Sequence, residues 1–275
     1  MDETVVQVLR EPGRAAEKKS FMWVMLGRDS DGRIGIIYEY DQSRSGDVAD
    51  KLLKDFKGYL QTDGYKGYNK VGSDDDVIHV GCLAHIRRKF HKILNFKKIK
   101  KHKFKSACKA LNYIGRIYYI ENSLRNRKLS DKKFIQLRKE RMRPVLDEFY
   151  KWLIVKQKEV PPRSSLGKAV NYALDEWEKF IRFLHSALLT PDNNLTENAI
   201  RPFVIGRKNW LFSNTPRGAK ASSIMYSLIE TAKANGLEPF KYLYYLFDNL
   251  PLAETEDALR KLLPYNIIPE KIEIK

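Results

Sequence analysis

Apolar and polar positions along the first 80 residues follow the short periods of a sheet. "DETVVQVL" (Asp2–Leu9) alternates and is β-branched, "SFMWVMLG" (Ser20–Gly27) is a continuous apolar run, and "RIGIIYEY" (Arg33–Tyr40) follows the turn signal Ser30-Asp31-Gly32. Three strands on short connections predict an antiparallel meander. A helix opens near Ser45, with Val48, Leu52 and Phe56 spaced by four on one face. "GYLQTDGYKGYN" (Gly58–Asn69) reads as a buried strand ending in a Gly-rich loop, and "DVIHVGCL" (Asp76–Leu83) as another. Strand, helix, strand implies a parallel crossover.

From Ala84 to about Val160 only helical periodicity remains, until Pro161-Pro162 and "RSSLG" interrupt it. A helix over Leu166–Ser186 is predicted from Val170, Leu174, Trp177, Ile181 and Leu184. Another runs from Gly218 to Asn235 with Ala221, Ile224, Met225, Leu228, Ile229 and Ala232 as its apolar stripe, and Gly236 in the C′ position. Pro239 suits the first turn of "PFKYLYYLFDNL", and a short helix over Glu254–Leu263 ends at Pro264. No internal repeat is present. Three antiparallel strands, a helix, then parallel strands outline an α/β fold with a ribonuclease H-like mixed sheet. The expected divisions are 1–95 for the first part of that core, 96–165 for a basic all-helical insertion, 166–215 for the rest of the core, and 216–275 for a helical C-terminal region.

Composition supports a folded chain: 43% hydrophobic and 12% aromatic residues suffice for a core. Two cysteines, Cys82 and Cys108, do not make a disulfide framework. There is no apolar run of membrane-spanning length and no signal-like N-terminus, so a soluble cytoplasmic protein is expected. Charge changes the picture more. The formal net charge is +17, and Arg87–Lys128 alone holds 15 Lys/Arg against one acid, Glu121. Such a block fits a polyanion partner, with a solvated lysine-rich helix face as the plain alternative.

Among the acids, Asp2 lies on the first strand, Asp63 at the end of the fourth, and Glu197 on a later helix. First and fourth strands are neighbours in a ribonuclease H-like sheet, so both aspartates would project at one edge with Glu197 packed across it. Three close carboxylates repel, and divalent cations offset that. Two Mg²⁺ ions held by such oxygens suit phosphodiester chemistry. Spacing alone does not single these acids out. Glu3, Asp192, Asp74, Asp75 and Asp76 compete, and each of the three also has a structural reading as terminal charge, turn residue or first-turn helix acid.

"DETVVQVL", "TDGYKGYN", "GCLAHIRRKF" and the long "NNLTENAIRPFVIGRKNWLFSNTPRGAKASSIMYSLIETAKANG" occur in order. Together they resemble the transposase of the insertion-sequence 66 family, of the DDE type, from Asp2 to about Pro251. The resemblance implies that Asp2, Asp63 and Glu197 bind Mg²⁺ or Mn²⁺, two ions in all. It implies DNA strand cleavage and strand transfer at insertion-sequence ends. It also makes the stretch between Asp63 and Glu197, a separation of 134 residues, the site of an insertion in the catalytic core, so that its basic block meets DNA backbone. Partners implied are transposon-end and target DNA, further copies of the chain, and helper proteins of the same element. A nucleoid-associated location follows.

"CLAH" matches in type and place a C/D-x-x-H signature of several DDE families, with His85 bracing the catalytic edge or touching the scissile phosphate. A satisfied strand-end histidine is the alternative. Cys108 and His91 complete no familiar zinc spacing with Cys82 and His85. Candidate DNA contacts are Arg87, Arg88, Lys89, Lys97, Lys98, Lys100, Lys101, Arg201, Arg207 and Lys208. Trp210 is expected in the core, and Tyr65 and Tyr68 are expected to pack the loop that presents Asp63. The end-recognising N-terminal region of full family members is not in this chain, and half of the first strand is expected to be missing, leaving Asp2 on a fraying terminus. Two readings follow: the catalytic part of an active transposase, or a truncated, inactive remnant that still binds DNA. A repurposed host DNA-binding protein is a third.

Overall fold

In the computed structural model, residues 1–29, 31–94 and 101–272 are described, and the chain divides into two compact units. One comprises Met1–Val48 with Leu195–Lys275, and the other comprises Ala49–Asn194. Ser30 of the expected turn lies outside the described residues, as do Lys97, Lys98 and Lys100.

The first unit is built on an antiparallel sheet of β1 (Asp2–Gln7), β2 (Lys19–Arg28) and β3 (Ile34–Asp41), in that order. Alternation decides which face is buried. Val6, Met22, Val24, Ile36, Tyr38 and Tyr40 point one way and join Ala199, Ile200, Phe203 and Ala219 in one apolar cluster. Those last four sit on α7 (Asn194–Trp210) and α8 (Pro216–Ala234). Asp2 is in the ladder, opposite Val24, and Met1 is buried. The β1–β2 loop is tied by buried Glu11, which accepts from Arg14 Nη1 at 2.7 Å and Ser20 Oγ at 2.5 Å. Tyr40 hydroxyl also bonds Glu11, and burial followed by that carboxylate pushes the phenol up to about 12.

α8 departs from the sequence reading. Ile224, expected in its apolar stripe, is 58% exposed. The helix meets β3 through polar groups four residues apart. Ser227 Oγ accepts from Tyr38 N–H at 2.8 Å. Thr231 Oγ1 accepts from Ile36 N–H at 3.0 Å and donates to Ile36 C=O at 2.9 Å, while Asn235 brackets Ile34 at 3.1 and 2.7 Å. β3 is an edge strand, and its unpaired backbone groups would otherwise need water or another strand. A polar helical stripe satisfies them. Gly236, at φ +78°, ends the segment in the left-handed region as its position predicts. α9 (Pro239–Asn249) and α10 (Glu256–Lys261) close a separate cluster around Tyr242, Leu246 and Leu262.

α1 (Gly46–Leu52) carries the chain into the second unit. There β4 (Gly58–Gln61) and β5 (Val77–Val80) pair in parallel. The parallel pair is as the pattern predicts, but among the described residues hydrogen bonding groups the strands into two sheets, an α/β arrangement with small sheets and many helices. α2 (Leu83–Leu94), α3 (Lys101–Arg125), α4 (Asp131–Glu159) and α5 (Ser165–Asp175) pack around Phe90, Ile114, Phe149, Leu153 and Val170. The predicted Leu166–Ser186 helix breaks at Glu176 into α5, α6 (Trp177–Ile181) and a 3₁₀ turn over Arg182–His185. Phe149 stacks on Tyr113 at 5.3 Å and meets Trp177 edge-on at 5.6 Å.

A fully buried arginine fixes the next turn. Arg138 Nη1 donates to the carbonyls of Phe183 at 2.7 Å and Ser186 at 2.8 Å, and Nη2 reaches Glu121 Oε1 at 2.6 Å and the Leu189 carbonyl at 2.9 Å. Arg125 Nε supplies Glu121 with a second guanidinium at 2.8 Å. A buried charge is tolerable only when paired and hydrogen-bonded like this.

Candidate active site

Asp63 stands two residues past the end of β4, in the second unit. Its Oδ1 accepts the Tyr65 N–H at 2.9 Å, the Asx turn expected of an aspartate at a strand end. Gly64 is required next, because a Cβ there would come within 2.4 Å of the Tyr172 hydroxyl. Tyr172 comes from α5 and hydrogen-bonds the Gly64 backbone. Burial raises its pKa far above the ordinary phenol value, with Glu176 and Asp63 adding to the effect, so it stays a neutral phenol. Tyr65 and Tyr68 meet edge-to-face at 5.8 Å, packing the loop as expected.

Behind Asp63, Thr62 is buried and its hydroxyl donates to the Asp63 carbonyl at 2.9 Å. Its Oγ1 also lies 2.8 Å from His79 Nε2, a hydrogen bond that ties the buried imidazole to the strand end. Burial lowers its pKa to about 4, with the Lys179 and Arg182 charges acting the same way. Arg182 Nη1 caps the His79 carbonyl at 2.9 Å.

His85 lies in the first turn of α2, with Nε2 3.8 Å from Asp63 Oδ2. That distance is electrostatic proximity, too long for a hydrogen bond. Arg88, one turn on, donates from Nη1 to His85 Nε2 at 2.9 Å. Buried Cys82 accepts the Asn193 N–H on Sγ at 3.2 Å, and Leu83 N–H donates to the Pro191 carbonyl at 2.8 Å. The C-x-x-H turn is thereby stitched to the segment leading into α7, the same segment whose preceding turn Arg138 holds.

Asp63 and His85 are thus brought together in one unit, whereas Asp2 and Glu197 belong to the other. Asp2 Oδ1 accepts the Glu3 N–H at 2.9 Å. Glu197 occupies the first turn of α7, between buried Thr196 and exposed Asn198. Arg87, Arg88 and Lys89 are exposed on α2, with Lys89 Nζ 4.5 Å from the Tyr172 ring centroid. Lys101 opens α3. Arg201 and Lys208 are exposed on α7, while half-buried Arg207 donates to Thr4 Oγ1 at 3.2 Å. Half-buried Trp210 packs edge-on against Phe203 at 5.3 Å, at the margin of the core cluster. Sequence reading missed Thr62, His79, Tyr172 and Arg182. Each acts across tens of residues, and no local spacing announces it.

Comparison with known proteins decides the family. A model described as "Transposase IS66 family" matches residues 1–221, and one described as "IS66 C-terminal element" matches residues 227–265. The chain belongs to the IS66 transposase family. Two uncharacterised proteins of Sinorhizobium fredii are similar along nearly its whole length. The one called y4qI is 27% identical over 98% of this chain and 51% of its own, and y4jD is 28% identical over 96% and 52%. The chain spans about half the length of these curated relatives. No solved structure matches it. Among the described residues, no helix is long and apolar enough to cross a membrane.

Proposed function

We propose that this IS66-family chain performs the chemical steps of DNA transposition, cutting strands at insertion-sequence ends and joining them to target DNA. The ribonuclease H-like reading belongs to this proposal, with Asp2, Asp63 and Glu197 gathered as the DDE triad. The observation that carries it is Asp63, offered from the end of a parallel strand by its Asx turn and set beside the C-x-x-H histidine, in a chain matched by the family along residues 1–221. Parallel sheets present ligands at the carboxyl ends of their strands, and Asp63 stands at such an end.

The donor set fits divalent ions of the Mg²⁺ or Mn²⁺ kind. Asp63 presents hard carboxylate oxygens, one already oriented by a backbone N–H, and Asp2 and Glu197 would complete the set. Two bound ions would supply the charge that activates a hydroxyl nucleophile and steadies the leaving oxygen. The chain's own residues do the rest. Arg88 fixes the His85 ring, so that His85 meets the scissile phosphate in one orientation. Arg87, Lys89, Lys97, Lys98, Lys100, Lys101, Arg201, Arg207 and Lys208 take backbone phosphates and set the register of the strand. In cleavage a P–O bond to water replaces the bond to the 3′ oxygen. In transfer that 3′ hydroxyl displaces a target P–O bond. Both are displacements without redox change. Self-assembly on paired ends and helper proteins of the element belong to the same reading.

The test is incubation of the purified chain with Mg²⁺ or Mn²⁺ and labelled insertion-sequence ends. We expect strand cutting that Glu197→Gln lowers by about a hundredfold to a thousandfold, on the scale of lost transition-state charge stabilisation, with DNA affinity unchanged or raised. A Glu197→Gln variant that cuts normally overturns the assignment.

A further inference from the structure

The second unit contains a cavity of about 400 Å³ beside α2. Its wall is made by Arg87, Arg88 and His91 of α2, Tyr118 and Asn122 of α3, and Asn194. Helical spacing produces it: Arg87 and His91 are one turn apart on one helix, Tyr118 and Asn122 one turn apart on the other. The lining divides by chemistry. Two guanidiniums and an imidazole are donors suited to an anion. A phenol ring and two carboxamides suit a heterocycle, the ring by stacking and the amides by paired donor and acceptor.

Two features make the wall a built one. Tyr118 is hydrogen-bonded to buried Asp192, and Asp192 Oδ1 accepts the Asn194 backbone N–H at 3.1 Å, so the Tyr118 ring and the Asn194 main chain share one anchor. Arg88 reaches from the cavity to His85 Nε2 at 2.9 Å, and His85 lies 3.8 Å from Asp63. Whatever anion Arg88 holds is therefore next to the proposed chemistry.

We propose that this cavity receives one unpaired nucleotide of the DNA strand, its phosphate on Arg87 and Arg88 and its base against Tyr118 between Asn122 and Asn194. The proposal rests on the DNA reading above and deepens it. The volume lies within the roughly 300–1,000 Å³ of small-ligand pockets, too small for a duplex and sufficient for one nucleotide. Extruding a paired base costs a few kcal/mol and an already unpaired base least, so the cavity selects substrates with a frayed or bulged position. The chemistry recognised is a nucleoside 5′-phosphate, which a strand or a free mononucleotide can each supply.

Fluorescence anisotropy on the whole chain, without divalent metal and at about 0.15 M salt, reads this directly. One labelled duplex is fully paired, and its twin carries a single unpaired nucleotide. The unpaired twin should bind about tenfold tighter, within the range of one stacked base. Asn122 is exposed, so Asn122→Leu should fold normally, remove the preference and leave paired-duplex affinity within about twofold. Competition by deoxyadenosine 5′-monophosphate would show that the cavity also accepts the free nucleotide, and no competition that it takes the strand alone; either supports the site. Equal binding of both duplexes by the native chain overturns the proposal, as does a preference that survives in both Asn122→Leu and Asn122→Ala. DNA binding without preference defeats this inference only, whereas failure to bind any DNA defeats the functional reading as well.

Discussion

The two units solve the same problem, burial of backbone and side chains, by opposite means. The second packs helices around an aromatic cluster of Phe90, Tyr113, Phe149, Trp152 and Trp177, with one buried arginine tying down the turn that follows. The first lays a sheet's exposed edge against hydroxyls and a carboxamide from α8. Apolar packing tolerates adjustment, since volume and pattern matter more than direction. A hydrogen-bonded seam does not, because losing one partner strands a buried group. The contrast says where each unit should be brittle: at Arg138 in one, along Ser227-Thr231-Asn235 in the other.

The largest effect should come from the charge inside the apolar unit. Arg138→Met leaves Glu121 buried with Arg125 as its remaining guanidinium partner here and removes four donated bonds. We expect a loss of about 3–5 kcal/mol in urea unfolding. A loss under about 1 kcal/mol would make the arginine an incidental passenger of the aromatic core.

A pH dependence should separate the units next. His79 has a folded pKa of about 4 against an ordinary 6.5. Above 6.5 both folded and unfolded states are neutral and it contributes nothing to pH dependence. As pH falls from 6.5 to 4 the unfolded state takes a proton that the folded state refuses, so stability drops, by about 3 kcal/mol in all, and below 4 this loss stops. His79→Gln should flatten that part of the stability–pH curve by about one proton. An unchanged slope would contradict the neutral His79 that burial and the nearby Lys179 and Arg182 charges favour.

The smallest effect sharpens the seam. Thr231→Val keeps shape but strands the N–H and C=O of Ile36, for about 2 kcal/mol, whereas Ile224→Ala, on the exposed face, should stay within about 0.5 kcal/mol. The reverse order would restore the apolar stripe as the contact face.

That reversal marks the limit of reading the fold from sequence. Strands, their parallel or antiparallel sense, and the glycine and proline boundaries of α8 and α9 all follow from local period and turn chemistry. The α8 stripe misled because periodicity finds the apolar face, while an edge strand recruits a polar one, and which neighbour a helix meets is not a local property. The break at Glu176 escaped for a similar reason: the apolar spacing runs on through it. In the site, the strand that ends before Asp63 and the basic helical run that begins at His85 were legible from local period and composition, while the roles of Asp63 and His85 came from the family resemblance. Thr62–His79 and Tyr172–Gly64 were not, since each joins residues made neighbours only by folding.

The central claim is that Asp2, Asp63 and Glu197 share divalent ions. Anomalous diffraction from crystals of the chain grown with Mn²⁺ and insertion-sequence end DNA tests it most directly. The account predicts manganese peaks bound by carboxylate oxygens of all three acids, one of them next to a strand phosphate. Manganese held elsewhere, with any of the three acids taking no part in its coordination, would contradict it.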